Sequence, residues 1–195
     1  MPIIAIDPGN VQSGYCVIDQ KTLRPLEFGK IDNEELLKVL NEAFAEEWLA
    51  YYQYWIGAQV IEGPMRTSIQ GEFMKHAKEE LEHAEWLAVR IIQLGGTPIL
   101  NPADWEKTAS CKYLAPEDPF DVTLLRQNLD SERCAIKRYQ QICDMCWGKD
   151  FETFHISRKI LHEELDHEQD WEDFLQDIKT GAQYAKNKQP SDKAE

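Results

Sequence analysis

Two periodicities divide the chain. Over roughly residues 2–32 the apolar positions fall in short runs and alternations: "IIAID", then "YCVID", then "LEFGKID", with the turn residues of "PGNVQSG" between the first two. That pattern predicts a β-hairpin or a three-stranded meander. From Asp32 onward apolar residues recur every three or four positions, the helical repeat. Four long helices are expected, over about 33–62, 66–94, 119–147 and 151–178. Asp32 or Asn33 is placed to cap the first, with acids in its first turn. Glu62-Gly63-Pro64, Gly95-Gly96, Gly148 and Gly181 supply the stops. The first and last connections are short, as between antiparallel neighbours, but 95–118 is long and holds Pro98, Pro102 and Pro116. The expected fold is mainly α: two helical hairpins joined by a crossover into a four-helix bundle. A β-rich appendage over 1–32 precedes the bundle at 33–178, and a solvated tail over 179–195 follows it.

The helical phase also shows which acids face inward. In the first helix Glu47 lies on the stripe of Leu36, Leu40, Ala43, Tyr51 and Tyr54, while Glu46 falls with Glu42 and Ala50 on a more polar face. In the second, Glu80 and His83 interrupt Phe73, Leu87 and Ile91, while Glu79 falls with Glu72, Lys75, Glu82 and Arg90 on a face expected to meet solvent. Glu132 sits among Leu125, Leu129, Ile136 and Tyr139, and Glu164 with His167 among Ile160, Trp171 and Phe174. Each long helix thus carries one carboxylate where a leucine is expected. The second and fourth add a histidine three residues on, in the near-repeats "EELEH" (79–83) and "EELDH" (163–167). By the same phase Glu163, like Glu79, is expected to face water.

Four buried carboxylates need neutralising, because an unpaired buried charge is very costly. Two divalent metals would do it. A lone Glu-x-x-His is weak evidence, since Glu152 and His155 match it without a partner. Two such pairs plus two inward glutamates are not. Glu47 to Glu80 spans 33 residues and Glu132 to Glu164 spans 32, so the halves share one design. Bundles that hold two irons use this set. The candidate ligands are Glu47, Glu80, His83, Glu132, Glu164 and His167, with Glu80 and Glu164 bridging by symmetry. Tyr54, Tyr139 and His76 lie inward nearby, where packing or an outer-shell role is expected.

The net charge is −14. It disfavours a nucleic-acid surface, which needs a basic footprint, and suits cations. The tail lysines Lys179, Lys186, Lys188 and Lys193 are diluted by Asp192 and Glu195. No apolar run is long enough for a membrane span, and the first residues lack the basic region of a secretory signal. A soluble cytoplasmic protein is expected. Five cysteines in such a chain are more often thiols or redox groups than a disulfide framework. Cys143 and Cys146, one helical turn apart with no second such pair, are expected to be semi-buried thiols, and Cys16 a buried strand residue.

Residues 35–178 resemble the ferritin-like superfamily. "LNEAFAEEWLAYYQY" is similar to the first helix of bacterioferritins and "KILHEELDHEQDWEDFL" to their last. "TASCKYLAPEDP" and "LDSERCAIKRYQQICDMCWGKD" resemble the Dps-like group, which combines a Dps-type shell with a bacterioferritin-type di-iron site. That resemblance implies two iron ions per subunit; the carboxylate and imidazole donors also suit manganese, and nothing in the sequence predicts haem. It also implies that Fe(II) is oxidised, preferably by hydrogen peroxide, and stored as ferric iron in a homo-oligomeric cage of twelve. Cys111 and Cys134 map to a family pair able to form a disulfide beside the metals. "IIAIDPGNVQSGYCVID" resembles the first hairpin of an RNase H-like, resolvase-type nuclease, in which Asp7 would bind magnesium. The rest of that site is missing, so no nuclease activity is expected. Two other readings compete: a different di-metal enzyme such as a manganese catalase or oxygenase, and a DNA-protecting or structural shell.

Overall fold

The computed structural model describes residues 2–8, 12–19, 21–22 and 25–187. Strands β1 (Pro2–Pro8), β2 (Gln12–Asp19) and β3 (Pro25–Asp32) form an antiparallel meander in that order, with a register irregularity at Val17/Ile18. The backbone of Asp7 pairs with that of Gly14, while its side chain lies outside the described residues, as do Lys188, Asp192, Lys193 and Glu195. Cys16 is half-buried rather than buried.

Five helices follow: α1 (Asn33–Val60), α2 (Arg66–Gln93), the short α3 (Trp105–Thr108), α4 (Asp121–Cys146) and α5 (Phe151–Asn187). The four long ones are the expected bundle, and α1/α2 and α4/α5 are its hairpins. Among the described residues no helix is long and apolar enough to cross a membrane. The last helix corrects the expected tail. It continues past Gly181 to Asn187, because one glycine costs only about 1 kcal/mol in an exposed helix and the first proline comes at 190. Lys179 and Lys186 therefore sit on exposed turns of this helix.

Each connection has a local cause. After α1 the chain turns at Gly63, whose φ of +121° and 2.5 Å clearance from the Asp121 carboxyl exclude a side chain. Asp121 accepts the Met65 amide at 3.0 Å and its own amide donates to the Glu62 carbonyl, so the α1–α2 turn is tied to the start of α4. At the other end Asp150 accepts the Thr153 amide as an N-cap for α5 and pairs with Arg90 at 2.7 Å. Arg90, read as solvent-facing, is therefore partly buried in a polar clasp.

The crossover is pinned along its length. Trp105 stacks on Trp48 of α1 at 4.9 Å, and Gln53 accepts the Leu114 amide at 2.8 Å. Glu46 accepts the amides of Ser110 and Cys111 and takes a two-pronged ion pair from Arg138 of α4, at 2.9 and 3.0 Å. Glu46 is thus buried, against the polar face expected of it: its helix face is covered by the crossover, which the α1 periodicity does not reveal. Cys111 and Cys134 are joined by a disulfide, S–S 2.10 Å, linking the crossover to α4. Cys143 and Cys146 are buried free thiols, and burial pushes the Cys146 thiol up to about 12.

The apolar core is in two pieces. One gathers Leu36, Leu40, Leu87, Ile91, Ile142 and Ile160. The other gathers Tyr54, Ile69, Phe73, Leu124, Leu125 and Trp171. Between them lies a buried polar layer, which keeps its position only if both apolar blocks pack well. Trp171 anchors the second block: it is fully buried, meets Phe73 edge-to-face at 5.2 Å and donates its indole N–H to the Tyr54 hydroxyl at 2.8 Å. Trp171→Ala is expected to destabilise the protein by about 3–5 kcal/mol, the range for buried aromatic truncation. Guanidinium unfolding at fixed protein concentration measures this, and a loss below about 1 kcal/mol would mean the block is not load-sharing as described.

Candidate metal centre

The six expected residues meet in the polar layer. Glu47 comes from α1, Glu80 and His83 from α2, Glu132 from α4, and Glu164 and His167 from α5. Each is buried, at no more than 2% exposure. Three-residue spacing puts each glutamate and its histidine on one helix face, one turn apart. Glu152 and His155, the unpartnered match, are both exposed.

The distances divide the six between two points. His83 Nδ1 is 3.0 Å from Glu80 Oε2, 3.2 Å from Glu164 Oε1 and 3.4 Å from Glu47 Oε2. His167 Nδ1 is 3.3 Å from Glu80 Oε1, 3.6 Å from Glu164 Oε2 and 3.8 Å from Glu132 Oε2. Glu80 and Glu164 each send one oxygen to either side. Two donor sets result, Glu47–Glu80–His83–Glu164 and Glu80–Glu132–Glu164–His167, each with its ligand atoms within 4.8 Å of one another. The shared members are the two glutamates expected to bridge.

A fit test comes from atoms without hydrogen bonds. Glu47 Oε2, Glu80 Oε1, Glu132 Oε1, both Glu164 oxygens and His167 Nδ1 are buried and have no hydrogen-bond partner. Leaving one buried polar atom unsatisfied costs about 1–3 kcal/mol, so six in one layer need a common ligand. Carboxylate and imidazole donors suit iron or manganese. The residues present fit a pair of such ions.

Without metal, protons balance the layer. Burial is overcome by the carboxylates that accept from or lie beside the two imidazoles, and both are held well above their ordinary range. Burial pushes Glu47 up and lifts Glu132 to about 8. Glu80 and Glu164 are held down, because the nearby charged imidazoles of His167 and His83 outweigh burial. Within the six, two carboxylates then face two imidazoliums.

The largest correction concerns the first glutamates of the two near-repeats. Glu163 Oε2 lies 2.7 Å from His83 Nε2, and Glu79 Oε2 lies 3.0 Å from His167 Nε2. Both are only about one-third exposed. Their helix phase does point outward, but α2 and α5 lie side by side at this level, so each glutamate reaches the other helix's histidine. A carboxylate there accepts, so each Nε2 carries a proton and each Nδ1 turns toward the inner carboxylates. Signal for this did exist: both repeats begin with the extra glutamate.

Other neighbours have narrower parts. The Tyr139 hydroxyl donates to Glu47 Oε1. Tyr54 reaches none of the six and serves Trp171 instead. His76 stacks on His167, ring centres 3.9 Å apart, and burial pushes it down to about 2, so it stays neutral. A cavity of about 30 Å³ adjoins Glu47, Glu80, Glu132 and Glu164 and is walled by Ala50, Ala135 and the Cys111–Tyr113 segment. Cys111 lines both this cavity and a surface groove bordered by Glu42, Cys134, Lys137 and Arg138.

Comparison with known proteins agrees with this geometry. A family model described as a ferritin-like domain matches residues 37–181. The chain is 37% identical over 152 residues to a DNA protection during starvation protein of Pyrococcus furiosus, covering 74% of this chain and 79% of that one. It superposes with a TM-score of 0.78 on a dodecameric thioferritin, the bacterioferritin-related protein of Bacteroides fragilis, at 51% identity over 79% of this chain and 92% of the other. Dps of Thermosynechococcus elongatus shares the fold at 20% identity, with a TM-score of 0.70 over 73% and 90% of the two chains. A ferritin-like family match over most of the bundle, a substantial archaeal relative and a bundle carrying this buried donor set lead to one assignment: the chain belongs to the ferritin-like family, in its Dps-like branch.

Proposed function

We propose that the chain is a ferroxidase and iron-storage subunit, with Glu47, Glu80, His83, Glu132, Glu164 and His167 as the ligands of two iron ions. The observation that carries this is the sharing of Glu80 and Glu164 between two donor sets in which Glu47 Oε2, Glu80 Oε1, Glu132 Oε1 and both Glu164 oxygens have no hydrogen-bond partner. Fe(II) is the substrate. Each of two ions gives one electron, hydrogen peroxide accepts both, and with two protons the products are two Fe(III) and two water molecules. Glu80 and Glu164 hold the two ions as a pair, so the oxidant meets both electrons in one event. Glu163 and Glu79 keep the histidine lone pairs turned inward, and Tyr139 steadies Glu47.

Peroxide as oxidant is supported by the cavity beside the carboxylates, whose roughly 30 Å³ suits a molecule of one or two water volumes. Assembly into a twelve-subunit cage that stores the ferric product is supported by the 51% identity to a protein described as dodecameric. The archaeal relative is named for DNA protection. At a net charge of −14, this chain is proposed to protect by consuming Fe(II) and peroxide rather than by coating DNA.

Two experiments test the reading. Ferric absorbance after anaerobic addition of Fe(II) and peroxide should rise far more slowly in Glu80→Ala/Glu164→Ala, by more than the roughly 10–100-fold typical of losing an outer partner. Equal rates in the two proteins would rule the centre out. Separately, Glu163→Ala should weaken Co(II) binding by about 10–100-fold, while Glu163→Gln, which still accepts from His83, should recover most of it. An unchanged affinity in both would show that Glu163 does not position His83.

A further inference from the structure

We propose that the oxidant enters the centre from the α1/α4 side, beneath the crossover, and that Ala50 and Ala135 set the size of what passes, admitting hydrogen peroxide and refusing bulky organic hydroperoxides. This rests on the ferroxidase reading above and adds to it an entry side and two specificity-determining residues.

The repeated design of the chain holds an asymmetry. In α2 and α5 the residue three positions after the inward glutamate is a histidine: His83 after Glu80, and His167 after Glu164. In α1 and α4 the same position holds alanine: Ala50 after Glu47, and Ala135 after Glu132. Residues three apart share a helix face. Each long helix thus presents a glutamate and a neighbour one turn on. Two of those neighbours are imidazoles and two are single methyl groups, so side-chain volume is withheld from one side of the layer only.

The cavity lies where that volume is withheld. Ala50 and Ala135 line it with Glu47, Glu80, Glu132 and Glu164, whereas His83, His167, Glu79 and Glu163 do not. Its carboxylates carry the buried oxygens that have no hydrogen-bond partner: Glu47 Oε2, Glu80 Oε1, Glu132 Oε1 and both of Glu164. On the α2/α5 side the space behind the rings is taken, by Glu163 at 2.7 Å from His83 Nε2 and Glu79 at 3.0 Å from His167 Nε2. At its other end the cavity reaches half-buried Tyr113 and exposed Lys112. Its lining therefore runs from the buried carboxylates to the water boundary.

The roof of this passage is pinned. Glu46 accepts the amides of Ser110 and Cys111, Gln53 accepts the Leu114 amide, and the disulfide ties Cys111 to α4. Gln53 is itself held by donating to Asn128 and Ser131 of α4, at 3.0 and 2.9 Å. A roof fixed at both ends does not lift for a larger guest, so the small residues beneath it decide the width. A volume of about 30 Å³ suits hydrogen peroxide, which is little larger than water. A tert-butyl group adds a branched alkyl body that it does not hold. The competing reading is an idle packing gap, in which case the two alanines have no bearing on reactivity.

Two measurements on the full-length protein decide between these readings. The first compares hydrogen peroxide with tert-butyl hydroperoxide as oxidant of bound Fe(II). The organic reagent consumes two Fe(II) and two protons and yields two Fe(III), tert-butyl alcohol and water. The preference for hydrogen peroxide should exceed that shown by free Fe(II) by about 10–200-fold, the range for steric discrimination in a closed pocket. This comparison uses the parent protein and needs no variant to fold. The second titrates azide into the Co(II)-loaded protein, following the visible bands of the ion. Ala50→Val and Ala135→Val should each still bind two Co(II) per chain but take azide about 10–200-fold more weakly. No added preference between the hydroperoxides, or unchanged azide affinity in variants that hold two Co(II), would overturn the entry proposal and leave the centre standing. A parent that binds no pair of Co(II) would overturn the centre and the entry with it.

Discussion

Four carboxylates and two imidazoles buried in one layer are the constraint on which the rest of the structure turns. Among the described residues no lysine or arginine forms an ion pair with the four carboxylates. An apolar block lies on either side. Such a layer is held together only if positive charge arrives from outside, as protons or as metal. The bundle is built to keep the layer in register nonetheless. Trp171 and Tyr54 lock the block on one side, and the Arg90–Asp150 clasp closes the α4–α5 turn beyond the other. The crossover, with its disulfide and its Glu46–Arg138 pair, covers the α1/α4 side.

Reciprocity between the hairpins is the second organising feature. Each near-repeat supplies to the centre a histidine and a glutamate shared by both donor sets, and a first glutamate to the histidine of the other repeat. Neither hairpin can therefore orient its own histidine. Correct ligand geometry exists only when α2 and α5 lie together, which couples assembly of the bundle to competence of the site.

Much of this was legible in the chain itself. A carboxylate breaking an apolar stripe is a local signal, and it located Glu47, Glu80, Glu132 and Glu164 along with both histidines. The crossover was legible from its length and prolines. What helical phase could not show is which outward faces another segment covers. Glu46 belongs to a polar face by phase, yet the crossover lies over it; Glu79 and Glu163 point outward from their own helices, yet each meets the neighbouring one. The helix running on to Asn187 is a further case: its continuation past Gly181 depends on the absence of a breaker before Pro190 rather than on any apolar stripe. The Cys111–Cys134 bond rested on family resemblance alone, since spacing could not pair five cysteines.

The central claim is that Glu80 and Glu164 bridge two metal ions inside one subunit. Anomalous diffraction from crystals equilibrated with Mn(II) tests it most directly. Two peaks roughly 3.5–4 Å apart, lying between the Glu80 and Glu164 carboxylates, one beside His83 and the other beside His167, are the predicted result. A single peak in the layer, or none there with metal bound only at the surface, would contradict the account.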